Sequence, residues 1–162
     1  MTPRGSRISA GIVLYRRGAA GVEVLLVHPG GPFWRNKDAG AWSIPKGEME
    51  EGDVPEAVAR REFHEELGTP LTGPLEPLGE VRQKAGKRVL AFAGEGEIDT
   101  GAIVSNTFEL EWPPKSGRTR SFPEVDRAGW FSLPDARTKI LAGQAPLLDR
   151  LKELLRHREE EE

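Results

Sequence analysis

Three glutamates, Glu62, Glu65 and Glu66, follow Arg61 at spacings that gather their carboxylates on one side of a helix. At about 100° per residue the three share one arc, while Ala59, Phe63 and Leu67 occupy the arc beside it. Carboxylates three and four residues apart repel one another, so an isolated helix is weakened by them. A hard divalent cation relieves that repulsion, because Mg²⁺ takes carboxylate oxygens in octahedral sets and retains several waters. An acidic triplet taken alone reads as a solvated helix face. The residues around this one argue for more.

Gly47, after Pro45-Lys46, leads into an acidic loop that ends in a set of helix signals. Asp53 stands at the expected N-cap, and Glu56 three residues later completes a capping-box pattern. Pro55 falls in the first turn, where its missing N–H is not needed. Gly68, with Pro70 beyond it, is a natural stop. The pattern predicts a helix over Val54 to Leu67.

The 162 residues are expected to form one domain, with loose tails at 1–7 and 158–162. A hydrophobic fraction of 37%, with 19 glycines and 13 prolines, calls for many turns around a modest sheet. Lys and Arg number 23 against 26 Asp and Glu, and the run Glu159–Glu162 outweighs the net −3. Such a balance lacks the basic excess that a stable nucleic-acid partner needs. With no cysteine, disulfides and thiolate metal sites are excluded. No apolar signal segment opens the chain and no run approaches a membrane span, so a soluble, cytoplasmic protein is expected.

Along the chain, Ile8–Tyr15 and Val22–His28 read as a hairpin. A Gly- and Pro-rich loop follows, carrying Phe33 and Trp34 beside Arg35 and Lys37. Trp42-Ser43-Ile44 reads as a short strand, Leu71–Gly79 as a Pro-rich connection, and Glu80–Gln83 and Arg88–Ile98 as strands around an Ala-Gly-Lys turn. Phe108–Trp112 alternates as a strand with Glu109 and Glu111 on one side. Pro113–Phe122 reads as a basic loop and Glu124–Phe131 as a strand. Helices are expected over Pro134–Leu141 and Pro146–His157, the latter with a leucine stripe.

Gly47, Arg61-Glu62, Glu65-Glu66 and Gly68 resemble the Nudix box, G-x5-E-x7-R-E-U-x-E-E-x-G-U, in which U is bulky and apolar. Phe63 fills the first U. Asp53 replaces the first Glu but keeps a carboxylate, and Thr69 replaces the last U, a packing position. The Ser9–Arg16 opening and the Glu124–Phe131 strand before a helix are similar to Nudix proteins as well. The resemblance implies an α+β Nudix fold, a mixed β-sheet in an α/β/α sandwich. It also implies an enzyme that uses Mg²⁺ or Mn²⁺ to hydrolyse a phosphoanhydride in a nucleoside diphosphate linked to another moiety. On that resemblance the metal ligands are Glu62, Glu65, Glu66 and the Lys46 backbone carbonyl. Arg61 is expected to hold a carboxylate by a bidentate contact. Glu62 is the first candidate for the base, with Glu109 or Glu111 as an alternative ligand or base. Gly47 reads as a point of close backbone approach.

Lys46, Gly47, Trp34, Arg35, Lys37, Trp112, Lys115 and Arg118 are the candidate substrate contacts, with Lys84, Lys87 and Arg120 also flanking the expected cleft. Each aromatic taken singly is as readily a core residue. The three histidines lack metal-ligand spacing and read as structural. The Pro45-Lys46-Gly47-Glu48 lead-in is similar to diadenosine-polyphosphate and inositol-pyrophosphate hydrolases, which favours dinucleoside polyphosphates, with nucleoside triphosphates next. The alternative is a catalytically silent Nudix-fold module that senses a nucleotide or a partner; the intact carboxylates weigh against it. An RNA-decapping enzyme would want an extended basic surface. A monomer or homodimer is expected.

Overall fold

β1 (Ile8–Gly18) and β2 (Gly21–Pro29) form the expected hairpin, paired from Gly18↔Gly21 to Tyr15↔Val24. Beyond that pair the two strands part. The N-terminal half of β1 pairs instead with β3 (Lys46–Glu48), while β2 continues along β8 (Val125–Ser132). The fork admits the segment that precedes β3: Ser43 bridges Val27, and the Ile12 N–H donates to the Pro45 carbonyl at 3.1 Å. These observations come from a computed structural model that describes residues 7–161. Residues 1–6 of the expected N-terminal tail, and Glu162 of the C-terminal one, lie outside the described residues.

The other edge of β1 carries β5 (Arg88–Glu95) in parallel, and β4 (Glu76–Arg82) flanks β5 antiparallel. The strand order is therefore β4-β5-β1-β2-β8, a mixed sheet. Ala10, Ile12 and Leu14 of β1 face α1 (Pro55–Leu67) and pack with Val58, Ala59, Phe63 and Leu67. Val13 and Tyr15 face the opposite way, toward α2 (Leu133–Lys139) and the Leu147, Leu148, Leu151 and Leu155 stripe of α3 (Pro146–Glu161). Burial on both faces explains why β1 and β2 are continuous apolar runs without polar alternation. The result is the expected α/β/α sandwich of an α+β chain. β6 (Thr107–Glu111) and β7 (Thr119–Pro123) form a separate hairpin. Among the described residues no helix is long and apolar enough to cross a membrane.

Several local expectations are corrected. Val54, not Asp53, occupies the N-cap of α1, without a side-chain cap bond. Asp53 Oδ2 accepts the Glu50 N–H at 2.9 Å and Glu56 receives Arg60 at 3.2 Å, so neither serves a capping box. The tight turn before the helix competes for the Asp side chain and wins it. Trp42 and Ser43 make only isolated bridges, and the strand lies at Lys46–Glu48 instead. β4 begins inside the stretch expected as a connection. The second half of the expected basic loop is β7, paired residue for residue with β6 and held by Phe122 on Phe108, 6.0 Å between ring centroids. Glu159–Glu161, expected as loose, continue α3, where Arg156 reaches Glu160 at 3.3 Å and Arg17 reaches Glu159 at 3.5 Å.

The fork leaves no room at Gly11, where a Cβ would stand 2.6 Å from the Pro45 carbonyl oxygen and 2.7 Å from Lys46 Cβ. Both neighbours are fixed by the ladder, so relief requires β3 to shift. Gly11→Ala is expected to destabilise the protein by about 1–3 kcal/mol, as overpacking does. Thermal melts of the two proteins check this; an unchanged Tm would mean that the fork widens freely.

Candidate functional site

The C-terminal half of α1 lies against β3, and this contact sets the carboxylates. Glu66 is 7% exposed, and its Oε2 accepts the Lys46 backbone N–H at 3.0 Å. Glu62 slides against Gly47 so closely that a Cβ there would lie 2.0 Å from the Glu62 carboxyl carbon. Only a residue without a side chain admits Glu62 at that point, which is the close approach expected of Gly47. Glu65 sits partly exposed on the outer flank of the helix.

A fourth carboxylate joins through the backbone. Asn106 donates its N–H to the Glu65 carbonyl at 2.8 Å and accepts the Glu124 N–H at 2.8 Å on its own carbonyl. This clamp brings Glu124, at the start of β8, within electrostatic reach of Glu62, Glu65 and Glu66. Sequence reasoning missed Glu124, whose only local signal is an acidic residue just ahead of an apolar strand.

The group is held away from its ordinary ionisation. Burial, then the neighbouring charge of Glu62, pushes the Glu66 carboxyl up to about 8 against the opposing Lys46 N–H. Burial, then Glu65, raises Glu62, and Arg61 opposes the rise. Glu124 is raised by burial and by Glu65. Burial also lowers the Lys46 ammonium, with Glu66 opposing. Crowded carboxylates with so little compensating charge form a donor set that suits a hard divalent cation. Among the described residues no three acidic, His or Cys side chains already close around one point.

Other candidates fall elsewhere. Arg61 approaches Glu62 by a single 3.8 Å contact from a largely exposed position, so the expected bidentate hold is not made. The contact that Lys46 makes with the helix is through its N–H. Glu109 and Glu111 are exposed on β6, and Glu111 accepts the Lys115 N–H at 2.7 Å within its own turn.

A cavity of about 340 Å³ opens beside the carboxylates, lined by Trp34, Lys46, Glu66, Gln83, Lys87 and Glu124 among others. Trp34 is placed there by its loop. The buried His28 ring meets the Lys37 carbonyl at 2.6 Å and Asp126 at 2.8 Å, and Trp42 Nε1 donates to Asp38 at 2.8 Å. Lys37 Nζ lies over the Trp34 ring at 5.1 Å. Phe33 and Trp112 meet each other edge to face at 5.5 Å, which joins the two aromatic loops in one contact. Trp112, Arg35, Lys115 and Arg118 are not among the cavity's lining residues. Gln83 was not singled out from the sequence, since a glutamine at a strand end carries no motif.

A profile of the NUDIX domain matches residues 5–151. A Caenorhabditis elegans Ap4A hydrolase binary complex superposes with a TM-score of 0.63 at 21% identity, covering 92% of this chain and 98% of its own. The NUDIX domain of Shewanella oneidensis NrtR complexed with ADP ribose gives a TM-score of 0.65 at 19% identity, covering 96% and 94%. The E. coli ORF135 protein gives 0.58 at 19%, covering 97% and 98%. At these identities the likeness is one of fold. A sequence comparison with curated proteins yields no significant match.

The raised Glu66 carboxyl has a sign that stability measurements can read. The folded chain binds a proton up to about pH 8 where the unfolded chain releases it near 4.5. Between those values the native state holds more protons, so stability falls as pH rises. In EDTA the Tm is expected to drop across that window, and Glu66→Gln is expected to flatten the drop. A pH-independent Tm in metal-free wild type would contradict the buried, crowded carboxyl.

Proposed function

The chain belongs to the NUDIX family as a nucleotide pyrophosphohydrolase, and we propose that its substrates are dinucleoside polyphosphates or nucleoside triphosphates, cut at a phosphoanhydride. The observation that carries this reading is the buried Glu66, locked to the Lys46 N–H, with Glu62 under Gly47 and an aromatic-lined cavity alongside. Glu62, Glu65 and Glu66, with the Lys46 carbonyl, are the proposed holders of Mg²⁺ or Mn²⁺, and Glu124 extends the same acidic group. When bound, the ion neutralises the polyphosphate, polarises the attacked phosphorus and acidifies a water.

The protein's own groups do the rest. Glu62, partly exposed and raised in proton affinity, is the proposed acceptor of the water's proton. Arg61 tempers the charge of Glu62 from the surface. Trp34 offers a face for a base, and Lys46 and Lys87 meet phosphate oxygens from the cavity wall. Arg35, Lys37, Lys115 and Arg118 attract the polyanion from outside the cavity. A second base would rest on the Phe33–Trp112 contact. A cytoplasmic setting, as a monomer or homodimer, is part of the same proposal.

Glu66→Gln is expected to lower kcat at least about a hundredfold, the scale of losing a charge-stabilising group, with Tm in EDTA at neutral pH no lower than wild type. Near-normal turnover would sink the assignment of Glu66.

A panel of nucleoside triphosphates, diadenosine tetraphosphate, ADP-ribose and nucleotide sugars with Mg²⁺ sorts the substrates. Stacking contributes about 1–3 kcal/mol per base, so diadenosine tetraphosphate should show a KM several-fold below that of ATP. Equal kcat/KM for the two would reject the two-base reading. Nucleotide binding by calorimetry without any turnover would point to the silent module.

A further inference from the structure

A buried polar chain behind the cavity has a polarity that can be deduced atom by atom. Gln144 is fully buried in the turn between α2 and α3. Its Oε1 takes the Ile44 backbone N–H at 3.0 Å, and a backbone N–H can only donate. Its Nε2 is therefore the donating end, and it reaches Ser43 Oγ at 3.0 Å and Gln83 at 3.0 Å. Ser43 spends its own hydrogen on the Ile44 carbonyl at 2.7 Å, so it accepts from Gln144. The Gln83 atom facing Gln144 must likewise accept, which makes it the amide oxygen. The amide assignment of both glutamines thus follows from one backbone donor.

Gln83 is left with its Nε2 free. That nitrogen makes no hydrogen bond among the described residues and is not an enclosed orphan, while Gln83 lines the cavity. Gln83 shares that cavity with Val27, Ile44, Leu141 and Trp34 and with the charged Lys46, Lys87, Glu66 and Glu124, and its own backbone N–H donates to the Lys87 carbonyl at 2.7 Å. A neutral amide donor that shares its cavity with an aromatic side chain fits the edge of a planar heterocycle, while the lysines of the same cavity suit the phosphates. We infer that Gln83 is a specificity residue that donates from Nε2 to an acceptor on the substrate's base, a keto oxygen or ring nitrogen, with Gln144 as the positioning residue that orients it. The inference rests on the nucleotide reading above and names the part of the substrate that the cavity reads. A base presenting only an exocyclic amino group to Gln83 meets donor against donor and is disfavoured.

The test compares each of the four nucleoside triphosphates with abasic ribose 5-triphosphate, in wild type and in two variants. Gln83→Leu removes the donor. Gln83→Glu keeps an acceptor for Gln144, and so keeps the buried chain, but replaces the free donor with a second acceptor. Wild type is expected to prefer its best nucleotide over the abasic compound in kcat/KM. Both variants are expected to cut that preference about tenfold, the worth of one hydrogen bond, through KM. A preference unchanged in Gln83→Glu, or a loss equal for the abasic compound, would overturn the assignment. If wild type turns over no compound but calorimetry shows nucleotide binding, the same preference read in Kd keeps Gln83 while rejecting hydrolysis. If wild type binds none of the nucleotides, both fall.

Discussion

The hydrogen bond from the Lys46 N–H to the buried Glu66 carboxylate is the contact on which the site depends. It joins α1 to the short strand wedged into the fork between β1 and β2. Without it Glu66 would be a buried carboxyl lacking any backbone donor, a costly arrangement. With it, α1 is fixed in rotation, and the neighbouring Glu62 is delivered beneath Gly47. The site is therefore a property of how a helix docks on a forked sheet, and the helix face alone does not define it.

The fork carries a second consequence. Where β1 and β2 part, the backbone of 42–45 fills the gap and becomes one wall of the cavity. The remaining walls include Trp34, Gln83 with the neighbouring Lys87, and Glu124, three places far apart in the chain. Each is tied by hydrogen bonds to other elements. His28 joins the Trp34 loop to β8 through Lys37 and Asp126, and Gln144 joins the 43–44 backbone to Gln83. Asn106 joins the end of α1 to Glu124. Paired polar groups in a low-dielectric interior specify one geometry more sharply than apolar packing does.

Crowding of like charges gives the site its electrostatic character. Burial and mutual repulsion raise Glu62, Glu66 and Glu124 together, and the Lys46 ammonium is itself weakened by burial. Burial and like-charge crowding make Glu66 costly to hold in its ionised form. Retaining it makes sense where a cation and a polyanion complete the charge balance.

The core of this reading was legible in the chain itself. The i, i+3, i+4 glutamates, the stop at Gly68 and the glycine at 47 are local patterns whose geometry a helix and a tight approach dictate. The apolar runs of β1 and β2 likewise announce strands buried on both faces. Capping and loop structure were less legible, because Asp53 had two backbone partners within reach and only the docked loop chose between them. Arg120 and Phe122 read as loop because their partners on β6 lie across a turn. Glu124, Gln83 and the pairing of Phe33 with Trp112 were decided by tertiary structure alone. Their roles depend on residues far away in sequence, and no local pattern encodes which distant backbone groups the folded sheet will bring within a hydrogen bond's length.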